Sequence, residues 1–318
     1  MKKVSIIGAG QLGSRHLQGL KTAQTEMEIW VIDASNESLT VAKERCDAID
    51  ATTPKKVHYA RTIEELPEEM DLVIIATGSK PRASIIKSLL LRCTVKNLVL
   101  EKVLFPLLSD YDEIGNLLKE KDVKCWVNCP RRMYGMYQQI AAMINKKLPL
   151  SMVYEDDNWG MCCNSIHEID IFMYLTGDTS YIIDTSKVNN EIETSKRSGY
   201  IEMTGSLKVT TPKGNELVLT SENGFKGKSG ITILNGATKF FIDETHGFWD
   251  EGEERHEFKM PYQSQLSGIL ADDVLIKGNC SLSTFEQSTS YHKPFIAALL
   301  EKYNNIIKDK ENKLLPIT

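Results

Sequence analysis

Short β-branched runs alternate with amphipathic stretches through the first 126 residues. The runs Lys3–Ile7, Glu28–Ile32, Asp71–Ala76, Leu98–Glu101 and Lys124–Asn128 predict strands, and the stretches between them predict crossover helices. Strands joined through helices lie parallel, so the alternation predicts a doubly wound parallel α/β sheet. Its strands are nearly all apolar, as strands covered by helices on both faces must be.

After Pro130 the pattern changes. Arg131–Lys147 predicts one helix, Leu150–Glu155 a strand, and Ser165 to Leu175 a second helix. From Ile182 onward the chain turns β-rich. Pro212-Lys213-Gly214-Asn215 separates Leu207–Thr211 from Glu216–Thr220 and predicts a hairpin. Asn235-Gly236, between Ile231–Leu234 and Thr238–Ile242, predicts another, with these two residues at the central positions of a type I′ turn. Tyr291–Ile307 predicts a terminal helix. A length of 318 residues exceeds what one core usually supports. The reading is therefore an α/β domain over 1–126, followed by an α+β domain over 127–318 with a large, mostly antiparallel open sheet.

Composition narrows the class. Hydrophobic residues at 42% and charged residues at 25% match an ordinary globular chain. A formal net charge of −5 argues against binding nucleic acid, which demands clustered Lys and Arg. The apolar run after Lys2 and Lys3 stops at Gly8, so neither a signal peptide nor a membrane span is expected. Seven cysteines without a Cys-x-x-Cys pair suit a reducing, cytoplasmic setting, and the six scattered histidines give no zinc pattern. A small-molecule partner is the remaining expectation.

Gly8-Ala9-Gly10-Gln11-Leu12-Gly13 follows the first strand directly and opens a helical pattern. Each glycine has a task in a dinucleotide fingerprint: Gly8 permits the tight turn, Gly10 lets backbone approach a pyrophosphate, and Gly13 lets helix pack on strand. The second strand ends in Asp33, where a carboxylate accepts hydrogen bonds from the adenosine ribose. That acid favours NAD over NADP, although Ser35 and Asn36 leave room for a 2′-phosphate. Open α/β sheets bind ligands beyond the carboxyl ends of their strands, so Ala76-Thr77-Gly78 and Glu101-Lys102 belong to the candidate site. Lys102 at such an end can hold a carbinol or ketone oxygen; a solvated lysine paired with Glu101 is the other reading.

At these residues the chain resembles the glucose-fructose oxidoreductase/inositol dehydrogenase/MocA group over most of its length. The glycine turn, the Ala76-Thr77-Gly78 turn, the Glu101-Lys102-Val103 triplet, the Pro130-Arg131-Arg132 element and the His167 to Asp170 helix before Leu175-Thr176-Gly177 occur in the family's order. The resemblance implies that Lys102 and His167 are the substrate-side catalytic pair. In the hydride transfer it implies, Lys102 stabilises an alkoxide and His167 takes the hydroxyl proton. Ser165-x-x-Glu168 has the form of a capping box, which places the helix start there. Asp170, one turn beyond His167, can orient the imidazole or bind a hydroxyl.

Four positions depart from the family pattern. Cys163 stands where many members have an Asp, Arg82 where they have His, and Gly78 and Val103 replace prolines. The segment around Asn158–Ser165 is similar to the surface-polysaccharide and nonulosonate branch. Arg131, Arg132, Trp159, Cys163, Asn164 and Asp170 are the candidate substrate contacts, with surface ion pairing of the arginines and core packing of Trp159 as rival readings. The implied function is an NAD(P)-dependent sugar dehydrogenase or reductase, forming a homodimer or homotetramer through the antiparallel sheet. A binding protein without turnover and an epimerase that oxidises its sugar transiently are the alternatives.

Overall fold

Aliphatic strands buried on both faces make up the centre of the amino-terminal sheet. The structure is a computed structural model describing residues 1–318. Its helices are α1 (Gln11–Lys21), α2 (Asn36–Asp47), α3 (Ser79–Arg92), α4 (Leu108–Glu120), α5 (Gly135–Met143), α6 (Met161–Thr176), α7 (Gln263–Asp272) and α8 (Phe285–Ile307). The chain separates into two compact units. The first comprises Met1–Phe105, Ser109–Pro130 and Pro261–Glu286; the second comprises Pro106–Leu108, Arg131–Met260 and Gln287–Thr318. No helix is long and apolar enough to cross a membrane.

In the first unit seven strands lie in the order Ser283–Thr284, Lys124–Asn128, Asn97–Glu101, Leu72–Ile75, Lys2–Ile7, Met27–Ile32, Lys55–Ala60. All pair in parallel except Ser283–Thr284, which runs antiparallel to Trp126 and Val127. The five strands expected from the apolar runs are all present. Lys55–Ala60 escapes the pattern because it is an edge strand, and its two lysines and His58 need no second apolar face. Lys2–Ile7 sits where the strand order reverses, which opens a crevice beyond its carboxyl end.

Helix α7 was not foreseen. It crosses α1 so closely that a Cβ on Gly19 would lie 2.6 Å from Ser267 Cβ, and one on Gly268 would lie 2.6 Å from the Gly19 carbonyl oxygen. Asp272 completes the join by accepting from the Gln24 and Thr25 amides at 2.7 and 2.9 Å.

The second unit is built on eight strands in the order Ile182–Asp184, Gly205–Thr210, Glu216–Glu222, Leu150–Asp157, Gly230–Asn235, Thr238–Asp243, Phe248–Glu251, Glu254–Glu257. Only Leu150–Asp157 and Glu216–Glu222 pair in parallel. The registers align Leu207, Leu219, Tyr154, Ile231, Ile242 and Trp249 across one face, with Val209, Leu217, Met152, Ile233 and Phe240 in the adjacent row. Nearly all of these side chains are buried, so this face is the core of the unit.

Three expectations require correction here. The helix predicted over Arg131–Lys147 is a short 3-10 turn, Pro130–Met133, followed by α5, which stops at Met143. Pro149 disfavours helix in the residue before it, and Asn235 donates to the carbonyls of Asn145, Leu148 and Pro149, holding that loop open. In the second hairpin Asn235 pairs with Thr238, so the central residues are Gly236 and Ala237 rather than Asn235 and Gly236. Gly236 at φ 62° is the only positive φ of the two, as a II′ turn requires. Finally, α6 starts at Met161, four residues before the predicted start.

Candidate active site

The glycine turn separates into residues explained by the fold and one that is not. Gly8 has φ 97°, a region that favours glycine, and a Cβ there would meet Ala76 and Thr77 at 3.0 Å. A Cβ on Gly13 would lie 1.7 Å from the Gly8 carbonyl oxygen, so α1 reaches the strand only because position 13 lacks a side chain. Gly10 is different. It is exposed, has φ −62°, and a Cβ added to it would meet nothing within 4 Å. Gly10 begins α1 without a side-chain cap, and the first amides of a helix have no intrahelical partners. An uncapped helix start behind an unobstructed glycine fits an anionic diphosphate.

Asp33 ends Met27–Ile32, half-buried. Its Oδ2 accepts from the Ala9 amide at 2.7 Å and its Oδ1 from the Ser35 amide at 2.8 Å. The carboxylate therefore braces the glycine turn as well as carrying charge at the crevice. Gln11 and Ser14 are further tied by Arg45 of α2, at 2.7 Å to Gln11 Oε1 and 2.6 Å to Ser14 Oγ. Ala76 and Thr77 lie at the end of the adjoining strand against Gly8, and Gly78 begins α3.

Glu101 and Lys102 point to different environments. Lys102 is half-buried, whereas the Glu101 carboxylate is buried and accepts from His16 Nε2 at 2.9 Å and Asn128 Nδ2 at 2.6 Å. His16 Nδ1 lies 2.8 Å from Ser267 Oγ, and Gln263 closes a ring through Asn128 and Ser267 at 3.0 Å each. Burial alone raises a carboxyl's pKa, but the hydrogen bond and charge of His16, with Asn128 and Arg82, hold Glu101 below its usual range. His16 and Gln263 carried no motif, and only the tertiary pairing reveals them. Val103 follows Lys102 across a cis peptide bond.

In the second unit α6 presents the other candidates. Its amino terminus is capped by Glu202, which accepts from the Cys162 amide at 2.8 Å, and Gly160 at φ 77° precedes it. Ser165 is therefore an interior residue and its buried hydroxyl has no partner, so the capping-box expectation is corrected. Asn164 turns back to the Trp159 carbonyl at 2.9 Å, and Trp159 donates to the Thr220 carbonyl at 2.8 Å while packing on Tyr154 at 4.7 Å. Cys163 is buried, its sulfur 4.0 Å from Ser195 Oγ and 3.9 Å from the Ile201 carbonyl. Burial pushes the neighbouring Cys162 thiol well up, away from nucleophilic thiolate. All seven cysteines are free thiols.

His167 is half-buried, and Asp170 faces another group. Its carboxylate pairs bidentately with Arg132, at 2.7 Å to Nε and 2.9 Å to Nη2. Arg131 is engaged as well, bidentately with Glu244 at 2.9 and 2.8 Å and with Glu168 at 2.9 Å. These arginines bind acids inside the unit rather than at its surface. Burial and the Glu244 charge, opposed by Arg131, raise Glu168 to about 7.

Residues 2–129 match the model of the Gfo/Idh/MocA oxidoreductase family, described as having an NAD-binding Rossmann fold. Over these residues the chain is similar to that family. No curated protein matches by sequence. Solved oxidoreductase structures share the fold over nearly the whole chain. A putative myo-inositol dehydrogenase from Sinorhizobium meliloti is 13% identical with a TM-score of 0.69, covering 96% of this chain and 98% of its own. A putative NADPH-dependent oxidoreductase from Desulfitobacterium hafniense is 14% identical, with a TM-score of 0.70 and coverages of 96% and 98%. The scyllo-inositol dehydrogenase of Lactobacillus casei is 16% identical, with a TM-score of 0.66 and 97% coverage of each chain.

Proposed function

We propose that this chain is a member of that family and transfers hydride between a nicotinamide cofactor and a carbinol or ketone of a sugar-type substrate. The observation that carries the reading is Gly10, a glycine that neither its backbone angle nor its neighbours require, at the uncapped start of α1. The cofactor supplies the hydride acceptor. Gly8 to Gly13 hold its diphosphate through backbone amides, with Ala76, Thr77 and Gly78 lining the same crevice, and Asp33 accepts from the ribose hydroxyls. A fixed carboxylate there repels a 2′-phosphate, which supports NAD over NADP.

Lys102 holds the substrate oxygen and stabilises the alkoxide that develops as hydride leaves, an interaction worth more in a dry cleft than in water. In the second unit His167 takes the hydroxyl proton. Arg131, Arg132 and Asp170 hold α6 rather than the substrate, since their charges are matched to one another and to Glu168 and Glu244. Trp159 and Asn164 remain candidates for a sugar face and its hydroxyls. The outer face of the eight-stranded sheet carries Val153, Val218, Thr232, Leu234 and Phe241, and there we place homo-oligomerisation, in a cytoplasmic enzyme of glycan precursors.

NADH formation, followed by absorbance over free, phosphorylated and nucleotide-linked sugars, tests the reading. Lys102→Ala is expected to lower kcat/KM by roughly 10²–10⁴-fold. A near-native rate in that variant overturns the assignment. One observation favours a second reading, a dinucleotide-binding protein without turnover: Cys163 replaces the relay acid and Asp170 is taken by Arg132. Binding of NAD with no oxidation of any sugar on the panel would select it.

A further inference from the structure

Arg82, in the first turn of α3, has no solvent exposure. Its Nη1 donates to the Val103 carbonyl and, at 2.8 Å, to the Leu104 carbonyl, while Nη2 donates to the Thr77 carbonyl. The three acceptors belong to two loops that leave neighbouring strand ends, Leu72–Ile75 and Asn97–Glu101. Gly78 in one loop and Val103 in the other leave the backbone at those two positions without a proline ring to stiffen it. A buried guanidinium demands acceptors in a fixed plane, and these carbonyls supply them.

We propose that Arg82 is a positioning residue that clamps the Val103–Leu104 segment to the Thr77 turn and so sets where the Lys102 ammonium sits. The proposal rests on the reading of Lys102 as the group that holds the substrate oxygen. Only a planar fork spans both loops at once. A lysine at this position keeps the charge but reaches one loop at a time, and a displacement of about 1 Å at the reacting group costs on the order of a hundredfold in rate.

Hydrogen exchange of the purified protein, read by mass spectrometry with and without NAD, tests the clamp without a substrate. In Arg82→Lys and Arg82→Ala, amides of residues 77–79 and 102–105 are expected to exchange at least about tenfold faster, with the Lys2–Ile7 and Met27–Ile32 strands unchanged. Adding Gly78→Pro, which suits the φ of −59° at that position, is expected to restore slow exchange at 77–79. Unchanged exchange at both loops overturns the proposal. So does acceleration spread evenly over the unit, which marks Arg82 as ordinary core; if Arg82→Ala does not fold, Arg82→Lys decides alone. Lys102→Ala separates the two claims: should it retain turnover, the catalytic reading fails while the clamp is still judged by exchange.

Discussion

His16 Nε2 lies 2.9 Å from Glu101 Oε1, and both side chains are almost wholly shielded from water. Ser267 Oγ, itself 2.9 Å from the Gln263 carbonyl oxygen, lies 2.8 Å from His16 Nδ1. Through Nε2 the imidazole ties α1 to the Glu101 carboxylate, at the strand end bearing Lys102.

Removing His16 leaves the Glu101 carboxylate buried without its main partner. His16→Ala is expected to destabilise by about 3–5 kcal/mol in urea titration, and more than the double variant His16→Ala/Glu101→Gln, which removes the buried carboxylate as well. Because Glu101 titrates below its ordinary value, its contribution is complete above about 4.5 and is lost as pH falls through the lower folded value. Equal losses for the single and double variants would show that no charge is being compensated.

Glu168 has the opposite sign. With its folded value raised to about 7, the native state keeps a proton that the unfolded chain releases, so stability falls as pH climbs from about 4.5 to 7 and levels above. Glu168→Gln should flatten that slope and gain on the order of 3 kcal/mol at pH 8, at about 1.4 kcal/mol per unit. Denaturation midpoints of the two proteins at pH 5 and pH 8 check it. A slope unchanged by the substitution would remove Glu168 as its source.

Ser165 within α6 and Glu202 outside it separate the sequence signal from the built cap. Ser165→Ala deletes a buried hydroxyl without a partner and is expected to be neutral or stabilising. Glu202→Ala removes the acceptor of the Cys162 amide and is expected to cost about 1–2 kcal/mol. Thermal melts that reversed this order would restore Ser165 as the cap.

The parallel sheet was legible because each central strand is buried on two faces and cannot hide its aliphatic run. The glycine turn was legible because its geometry is local: Gly8, Gly10 and Gly13 act within six residues. What the sequence concealed is long-range. Pro261–Glu286 folds into the first unit because Gly19 and Gly268 admit a close helix crossing, and nothing near either glycine announces the other. The start of α6 was misplaced for the same reason, since its cap, Glu202, lies 40 residues away. Arg132 and Asp170 were separate candidates in the sequence and are one bidentate pair in the fold.

Gly10→Val offers the most direct test of the central claim. The position has ordinary backbone angles and open space, so the melting temperature should stay level or rise slightly, since replacing glycine at a compatible angle restricts the unfolded chain. The new side chain fills the approach to the helix start. Calorimetric titration with NAD is predicted to give saturable heat with the native protein and a loss of at least about a hundredfold in affinity with the variant, some 2.7 kcal/mol. Equal affinity in the two proteins would contradict the account.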